Sequence, residues 1–256
     1  MSDRRTALVT GSTDGLGFAI ADGLARAGYD VALTGLEPAH AMARLASEME
    51  AAHGVRVCYH HADLADPDAT GRLFDAVGAV DVLVNNAVTR HFAPVEAFPV
   101  EAWNRALAVN LTAPFLAIRR ALPGMRARGW GRIVNLASVY SHFAAPNRID
   151  YVTTKTGLLG LTRTVALEVA GADITCNAIC PGTLPTPAIL SRIAGIAART
   201  GVSQQEAEAA YLAARQPGGR FISMEAVVAL TVFLCGPQAR DINGAALPVD
   251  AGWTAA

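Results

Sequence analysis

Seven short apolar, β-rich runs recur along this chain, separated by longer Ala/Leu-rich stretches with helical character. The runs are "TALVT" (6–10), "DVALT" (30–34), "VRVCYH" (55–60), "DVLVNN" (81–86), "RIVNLA" (132–137), "ITCNAIC" (174–180) and "AALPV" (245–249). Strands that are almost continuously apolar must be covered on both faces, as in a parallel sheet flanked by helices. Helical runs at 15–27, 40–52, 101–128, 152–170 and 224–235 supply that cover. The alternation predicts a single-domain, Rossmann-like, doubly wound parallel α/β sheet of about seven strands. Ligands in such sheets sit beyond the carboxyl ends of the strands.

The 256 residues suffice for one large core, and no Pro-, Ser- or charge-rich linker divides them, so residues 1–256 read as one domain. A net charge of −1 gives no electrostatic footprint for nucleic acid. No apolar run reaches the length of a membrane span. The opening "MSDRRTALVT" enters a strand directly and has no leader-like apolar region, so a cytoplasmic location is expected. Cys58, Cys176, Cys180 and Cys235 lack a second ligand pair at metal-binding spacing and read as free thiols; no metal is expected. His60 and His61, adjacent on a strand, face opposite sides and cannot grip one ion.

One stretch breaks the alternation. Residues 186–216 hold two helical runs split by Gly201, the second opened by "SQQE", where Ser203 and Glu206 predict a capping box. A helical insertion after a strand end is expected to act as a lid over a site; a surface excursion or an oligomer contact is the alternative.

The first strand runs into "TGSTDGLG", with Gly11, Gly15 and Gly17 spaced G-x3-G-x-G and Thr13 and Leu16 between them. Glycines let a pyrophosphate approach the backbone, and the following helix N-terminus offers free N–H groups. At the end of the second strand Gly35 and Leu36 stand where a ribose-binding acid is common, with Glu37 next. No Arg or Lys occupies 34–37 to receive a 2′-phosphate, and Asp14 would repel one, so NAD is expected over NADP. Asp63, in "HADL", either borders the adenine or caps the helix that follows.

The segment from Ser138 to Lys155 has the order S-x12-Y-x3-K. A phenol with a pKa near ~10 is a poor base at neutral pH until a nearby cation favours phenolate. Tyr151 and Lys155, four apart, share one helix face. Ser138, at a strand end, is placed to hold a substrate oxygen.

These pieces together resemble the short-chain dehydrogenase/reductase family over essentially the whole chain: "TGSTDGLG", "ADL", "NNA" (85–87), "VN" (109–110), Ser138, "YVTTK" (151–155), "PGTLPTP" (181–187) and "VDAG" (249–252). The resemblance implies a catalytic set of Asn110, Ser138, Tyr151 and Lys155, with Asn110 helping to anchor a water that relays protons to Lys155. It implies cofactor contacts from Leu64, Asn86, Pro181, Gly182, Thr183 and Thr186, with Thr186 and its neighbours at the nicotinamide amide. It also implies a homotetramer built through the long helices at 101–128 and 152–170. Three positions depart from the family pattern: Val88 for a glycine beside the cofactor, Gly35 for the ribose acid, and Ala251 for the first glycine of a C-terminal pair. The 186–216 insertion, "ITCNAICPG" and "GWTAA" are similar to the branch that oxidises D-3-hydroxybutyrate. Where that branch carries Gln, His, Lys and Gln on its substrate, this chain has Arg90, Tyr140, Arg148 and Arg192. Arginine pairs bidentately with flat or tripodal anions. The expectation is an NAD(H)-dependent alcohol dehydrogenase or ketone reductase for a small anionic substrate: a hydroxy acid, a dicarboxylate or a hydroxyalkyl sulfonate. A neutral polyol or sugar is the alternative, and a non-catalytic dinucleotide sensor would require damage to the catalytic set.

Overall fold

The computed structural model describes residues 4–213 and 215–255. Strands β1 (Thr6–Val9), β2 (Asp30–Gly35), β3 (Val57–His61), β4 (Val82–Asn85), β5 (Trp130–Leu136), β6 (Asp173–Pro181) and β7 (Ala246–Val249) form one sheet. Its order is β3-β2-β1-β4-β5-β6-β7, and every pairing is parallel. The chain reverses its winding between β1 and β4, which opens a crevice at the strands' carboxyl ends.

Alternate strand residues feed two different cores. Ala7, Val9, Val31, Leu33, Val82 and Val84 pack with α1 (Gly15–Arg26), α2 (Ala39–His53) and α9 (Met224–Cys235). Leu8, Ala32, Leu83 and Ile133 face the other way, onto α3 (Pro67–Val77), α5 (Ala113–Arg128) and α6 (Ile149–Glu168). Three layers therefore follow from the period-2 geometry of doubly apolar strands. Cys176 belongs to the second core, and Cys180 packs with Ala137 and Leu159.

The 101–128 stretch, expected as one helix, is interrupted. Helix α4 (Val100–Leu107) passes through a π turn at Ala108–Thr112 before α5 begins. Pro114 explains part of this: it has no N–H, so the carbonyl of Asn110 loses the donor an α-helix would supply. The Asn110 side chain holds the distortion. Its Oδ1 accepts from Thr89 N (2.8 Å), and its Nδ2 donates to Thr89 O (2.8 Å) and Thr154 Oγ1 (3.2 Å).

Helix α3 is capped by Asp66, whose carboxylate accepts from Asp68 N (2.9 Å). Asp63 is thus not that helix's cap; its Oδ1 accepts from Ala65 N, in the turn before it. The insertion forms α7 (Pro187–Thr200) and α8 (Gln204–Ala213), with Gly201 in the left-handed region between them. Ser203 and Glu206 exchange the expected reciprocal bonds, Ser203 N to Glu206 Oε2 (2.9 Å) and Glu206 N to Ser203 Oγ (3.2 Å). The two helices close on their own small core of Ile193, Ala207, Tyr211 and Leu212. Among the described residues no helix is long and apolar enough to cross a membrane.

Candidate active site

A cleft of about 530 Å³ runs along the carboxyl ends of the strands, from the glycine-rich turn to α7 and α8. Gly11 and Gly15 hold positive φ (60° and 52°), the conformation in which L side chains are strained. A Cβ on Gly17 would come within 2.0 Å of Gly11 O and 2.4 Å of Asn86 Nδ2, so this position admits only glycine. Asn86 donates from Nδ2 to Thr10 O (3.0 Å) and Gly11 O (2.8 Å). Its amide braces the turn from behind while the residue also lines the cleft. At Gly15 an added Cβ meets nothing within 4 Å, so open space lies over the helix N-terminus. Asp14, at the N-cap of α1, makes no side-chain capping bond. Free N–H groups beneath open space are what a pyrophosphate needs.

The cleft's end at β2 explains the missing acid. A Cβ at Gly35 would lie 2.6 Å from Glu37 Oε2 and 2.6 Å from Thr13 Cγ2. Glycine at 35 therefore lets the carboxylate of Glu37 fold back against the strand end. Its Oε2 is buried with no hydrogen-bond partner among the described residues. The Glu37 backbone is anchored, its carbonyl accepting from Tyr59 OH (2.6 Å) and contacting His61 Nδ1 (3.2 Å). A buried carboxylate oxygen with no donor needs one from a ligand. Thr13, Leu16, Leu36, Asp63 and Leu64 line this end. Arg105 lines it too, and its guanidinium lies 3.3–3.4 Å from the Asp63 carboxylate. Turn, open N-terminus and orphan carboxylate together fit a nicotinamide dinucleotide.

Lys155 is buried, and its Nζ donates to Leu136 O at the end of β5. Burial, and then the Arg90 cation, push its pKa down from 10.5 to about 7; Cys180 opposes them. The ammonium lies 5.7 Å from the centroid of the Tyr151 ring. Ser138, just past β5, accepts from Tyr140 N through Oγ (3.2 Å). Ser138, Tyr151 and Lys155 all line the cleft. Asn110 does not; its side chain ties the loop after β4 to α6 through Thr89 and Thr154. A second tie comes from Asp150, fully buried, whose carboxylate accepts from His91 N (2.8 Å) and Tyr151 N (2.6 Å). The loop bearing Arg90 is thereby fixed to the first turn of α6.

At this end of the cleft arginines alternate with aromatic rings. Arg90 lies 5.5 Å from the Tyr151 centroid. Arg148, buried at the N-cap of α6, lies 4.9 Å from Tyr140 and 4.8 Å from Phe92. Arg192 stacks on Phe92 at 3.7 Å, and Arg215 on Tyr211 at 3.9 Å. None of these four has a carboxylate partner among the described residues. Burial lowers the pKa of Arg192; Tyr211 opposes this, and the charges of Arg148, Arg90 and Arg215 add to it. Arg90, Tyr140 and Arg148 line the cleft, whereas Arg192 stands off it on Phe92.

Pro181, Gly182, Thr183 and Thr186 line the cleft beyond β6, and Thr186 caps α7 by accepting from Ile189 N (3.4 Å). Buried Gln216 holds this loop, accepting from Thr183 N (2.5 Å) and donating to Arg220 O. Glu37, Tyr211, Arg215, Gln216 and Trp253 were not singled out as site residues in the sequence. Trp253 packs edge-on to Tyr140 at 5.7 Å. A glutamate directly after an acid-less strand end was the one available signal for Glu37. The others carry no local motif.

A family model described as enoyl-(acyl carrier protein) reductase matches residues 11–254. D-beta-hydroxybutyrate dehydrogenase of Rhizobium meliloti (strain 1021) is 40% identical over 255 residues, covering 98% of this chain and 99% of that protein. 2-(R)-hydroxypropyl-CoM dehydrogenase of Xanthobacter autotrophicus (strain ATCC BAA-1158 / Py2) is 37% identical over 258 residues, covering 98% and 99%. L-Sorbose reductase from Gluconobacter frateurii, solved in complex with NADPH and L-sorbose, superposes with a TM-score of 0.92 at 30% identity, covering 98% of this chain and 96% of that one. The chain belongs to the short-chain dehydrogenase/reductase family and is an oxidoreductase acting on secondary alcohols and ketones.

Proposed function

We propose that this enzyme interconverts a secondary alcohol and a ketone on a small anionic hydroxy acid, with NAD(H) as its cofactor. The observation that carries the reading is the meeting of two groups at one ring. Tyr151 has Lys155 at 5.7 Å and, at 5.5 Å, Arg90, an arginine without an ion-pair partner among the described residues. Ser138 holds the substrate oxygen by hydrogen bond, and Tyr151 exchanges a proton with that oxygen. Lys155, when charged, favours the phenolate. Asn110 keeps the Thr89 loop in register, and its carbonyl, which Pro114 cannot serve as an α-helical donor, would hold a water leading to Lys155. When bound, the nicotinamide accepts or donates the hydride. Arg90 and Arg148 grip the anion, and Arg192 joins them as α7 and α8 close over the cleft. A closed lid excludes water and fixes the reacting carbon.

NAD is favoured over NADP by Glu37. Its unpartnered oxygen suits a ribose hydroxyl and repels a 2′-phosphate. Arg105, the cation at that end, is already close to Asp63. The expected partner chains are three further copies of this one: Phe115 and Leu167 are exposed (49% and 80%) on the helices expected to pair. Light scattering reading a monomer at micromolar concentration would contradict that assembly.

The test measures NADH formation from NAD with a panel of small hydroxy acids and uncharged secondary alcohols, using wild type and Arg148→Ala. A charge-assisted hydrogen bond is worth about 1.5–3 kcal/mol. Loss of Arg148 should therefore lower kcat/KM for the acid by at least about tenfold and spare a neutral alcohol of similar shape. Equal turnover of the acid by both proteins would shift the reading to an uncharged polyol or sugar, which the L-sorbose complex of the structural neighbour favours.

A further inference from the structure

The substrate end of the cleft holds more positive charge than one carboxylate can answer. Lys155, Arg90, Arg148 and Arg215 all line it. The acidic lining residues, Asp14, Glu37 and Asp63, belong instead to the glycine-rich turn and the ends of β2 and β3. Protein surfaces normally intersperse charges of opposite sign, and like charges gathered in a partly desolvated cleft repel. Such a cluster is stable in use only when its ligand brings compensating charge.

The arginines also divide by position. Arg90 and Arg148 are placed by the loop after β4 and the N-cap of α6, within reach of the Tyr151 and Tyr140 rings. Arg215 follows α8 and is oriented from the lid side. Its Nη1 donates to Tyr211 O (2.8 Å) while its plane stacks on the Tyr211 ring at 3.9 Å, which leaves Nη2 and Nε for a ligand. Arg192 shares the Phe92 ring with Arg148, at 3.7 and 4.8 Å, and feels the charges of Arg148 and Arg90 ahead of that of Arg215.

We infer that the cleft has two anion subsites, Arg90 with Arg148 beside the reacting carbon and Arg215 on the lid side where α8 ends, and that the substrate is a dianionic secondary alcohol carrying a second carboxylate or an equivalent oxyanion. This rests on the anionic hydroxy-acid reading above and sharpens it. A short monocarboxylate fills the inner subsite and leaves Arg215 uncompensated. A second oxyanion on the far side of the carbinol carbon answers Arg215 and pulls α8 toward the cleft. Closure of the lid then depends on the second charge.

Three probes sharing one carbinol separate the outcomes: 3-hydroxybutyrate, 3-hydroxyglutarate and the monomethyl ester of 3-hydroxyglutarate. Wild type with NAD should show kcat/KM for 3-hydroxyglutarate at least about tenfold above both monoanions, the size of one charge-assisted contact. In Arg215→Gln the ratio of dianion to ester should fall toward one, and Arg215→Lys should keep part of it. NAD affinity, read by titration without substrate, should be the same in wild type and Arg215→Gln. Turnover of 3-hydroxybutyrate equal to that of 3-hydroxyglutarate overturns the second subsite and leaves the hydroxy-acid reading standing. A roughly tenfold loss of NAD affinity in Arg215→Gln also overturns it, by assigning Arg215 to the cofactor. Turnover of uncharged alcohols alone, with no acid accepted, overturns both readings.

Discussion

Replacing Arg90 with Gln should raise the pKa of Lys155, and the shift should be readable in the pH dependence of stability. The two cations lie 5.5 and 5.7 Å from the centroid of one tyrosine ring. They are therefore no more than about 11 Å apart, where an effective dielectric of ~20 gives a repulsion of about 1.5 kcal/mol, roughly one pH unit. Lys155 starts from a folded-state pKa of about 7, against 10.5 for the free side chain. Its pKa is depressed on folding, so the unfolded chain binds more protons across that window. Stability must then rise as pH increases from about 7 toward 10.5, and this contribution is flat below 7. Between pH 7 and 9 the wild type should gain about 2.3 kcal/mol from this group. With the onset moved to roughly pH 8, Arg90→Gln should gain only about 1.4 kcal/mol. Urea denaturation at pH 7, 8 and 9 measures both, with Lys155→Met subtracted to remove every other titrating group. Curves for wild type and Arg90→Gln that run parallel would refute the coupling. A wild-type curve parallel to Lys155→Met would refute the buried, easily neutralised lysine itself.

Tyr151→Phe should bind NAD as wild type does but lose at least about 10²-fold in kcat, the usual cost of removing a general acid–base group; retained turnover would put the proton transfer elsewhere. Gly17→Ala drives a methyl into Gly11 O and Asn86 Nδ2, so NAD affinity by fluorescence titration should collapse; unchanged affinity would contradict the tight turn. Ala251 sits at φ 52°, where a β-carbon costs about 1–2 kcal/mol. Ala251→Gly should be neutral to about 1 kcal/mol stabilising after glycine's own entropy is charged, and a destabilised variant would show that the methyl packs usefully. Finally, an anion held by Arg90 should raise the Lys155 pKa, so binding of 3-hydroxybutyrate to the NADH complex, where no hydride can be transferred, should take up protons near pH 7.5. Calorimetric heats that do not depend on the buffer's ionisation enthalpy would exclude this.

The fold was legible because its signal is redundant. Each of the seven apolar runs became a strand, and double-sided burial reads directly as an unbroken apolar string. What composition could not reveal was the break in the 101–128 stretch. A helical pattern spans residues 108–112 without interruption, and the distortion there depends on Pro114 together with an Asn110 side chain whose partners, Thr89 and Thr154, are remote in sequence. Asp63 as a helix cap failed for a local reason: Asp66, three residues on, precedes a proline at the first helical position and takes the cap.

The site was legible in part for the same reason. Tyr151 and Lys155 share a helix face by spacing alone, and the glycines announce their turn. Glu37 was readable only as a neighbour of a missing acid, since its inward fold depends on the space that Gly35 leaves beside Thr13. Arg90 was visible at a strand end, Arg148 just before the Tyr151 helix and Arg192 in the helical insertion, but their arrangement on Phe92, Tyr140 and Tyr151 is a tertiary fact. Arg215 carries no motif at all, and only the packing of Tyr211 between α7 and α8 brings it to the cleft.

That arrangement gives Arg90 two electrostatic roles that oppose each other until substrate arrives. Without an anion, its charge works with burial to hold Lys155 near neutrality, where the lysine favours phenolate least. On the proposed reading, an anion on Arg90 would cancel that repulsion, and Lys155 would recover its proton beside Tyr151. The cation proposed to assist the proton transfer would thus be strongest when the cleft holds an anion. A neutral alcohol of the same shape would leave Arg90 opposing Lys155 and would react on the less favourable side of the lysine's titration. Selection for charge would then be exercised at the chemical step as well as in binding, through one arginine and one lysine on the same tyrosine ring.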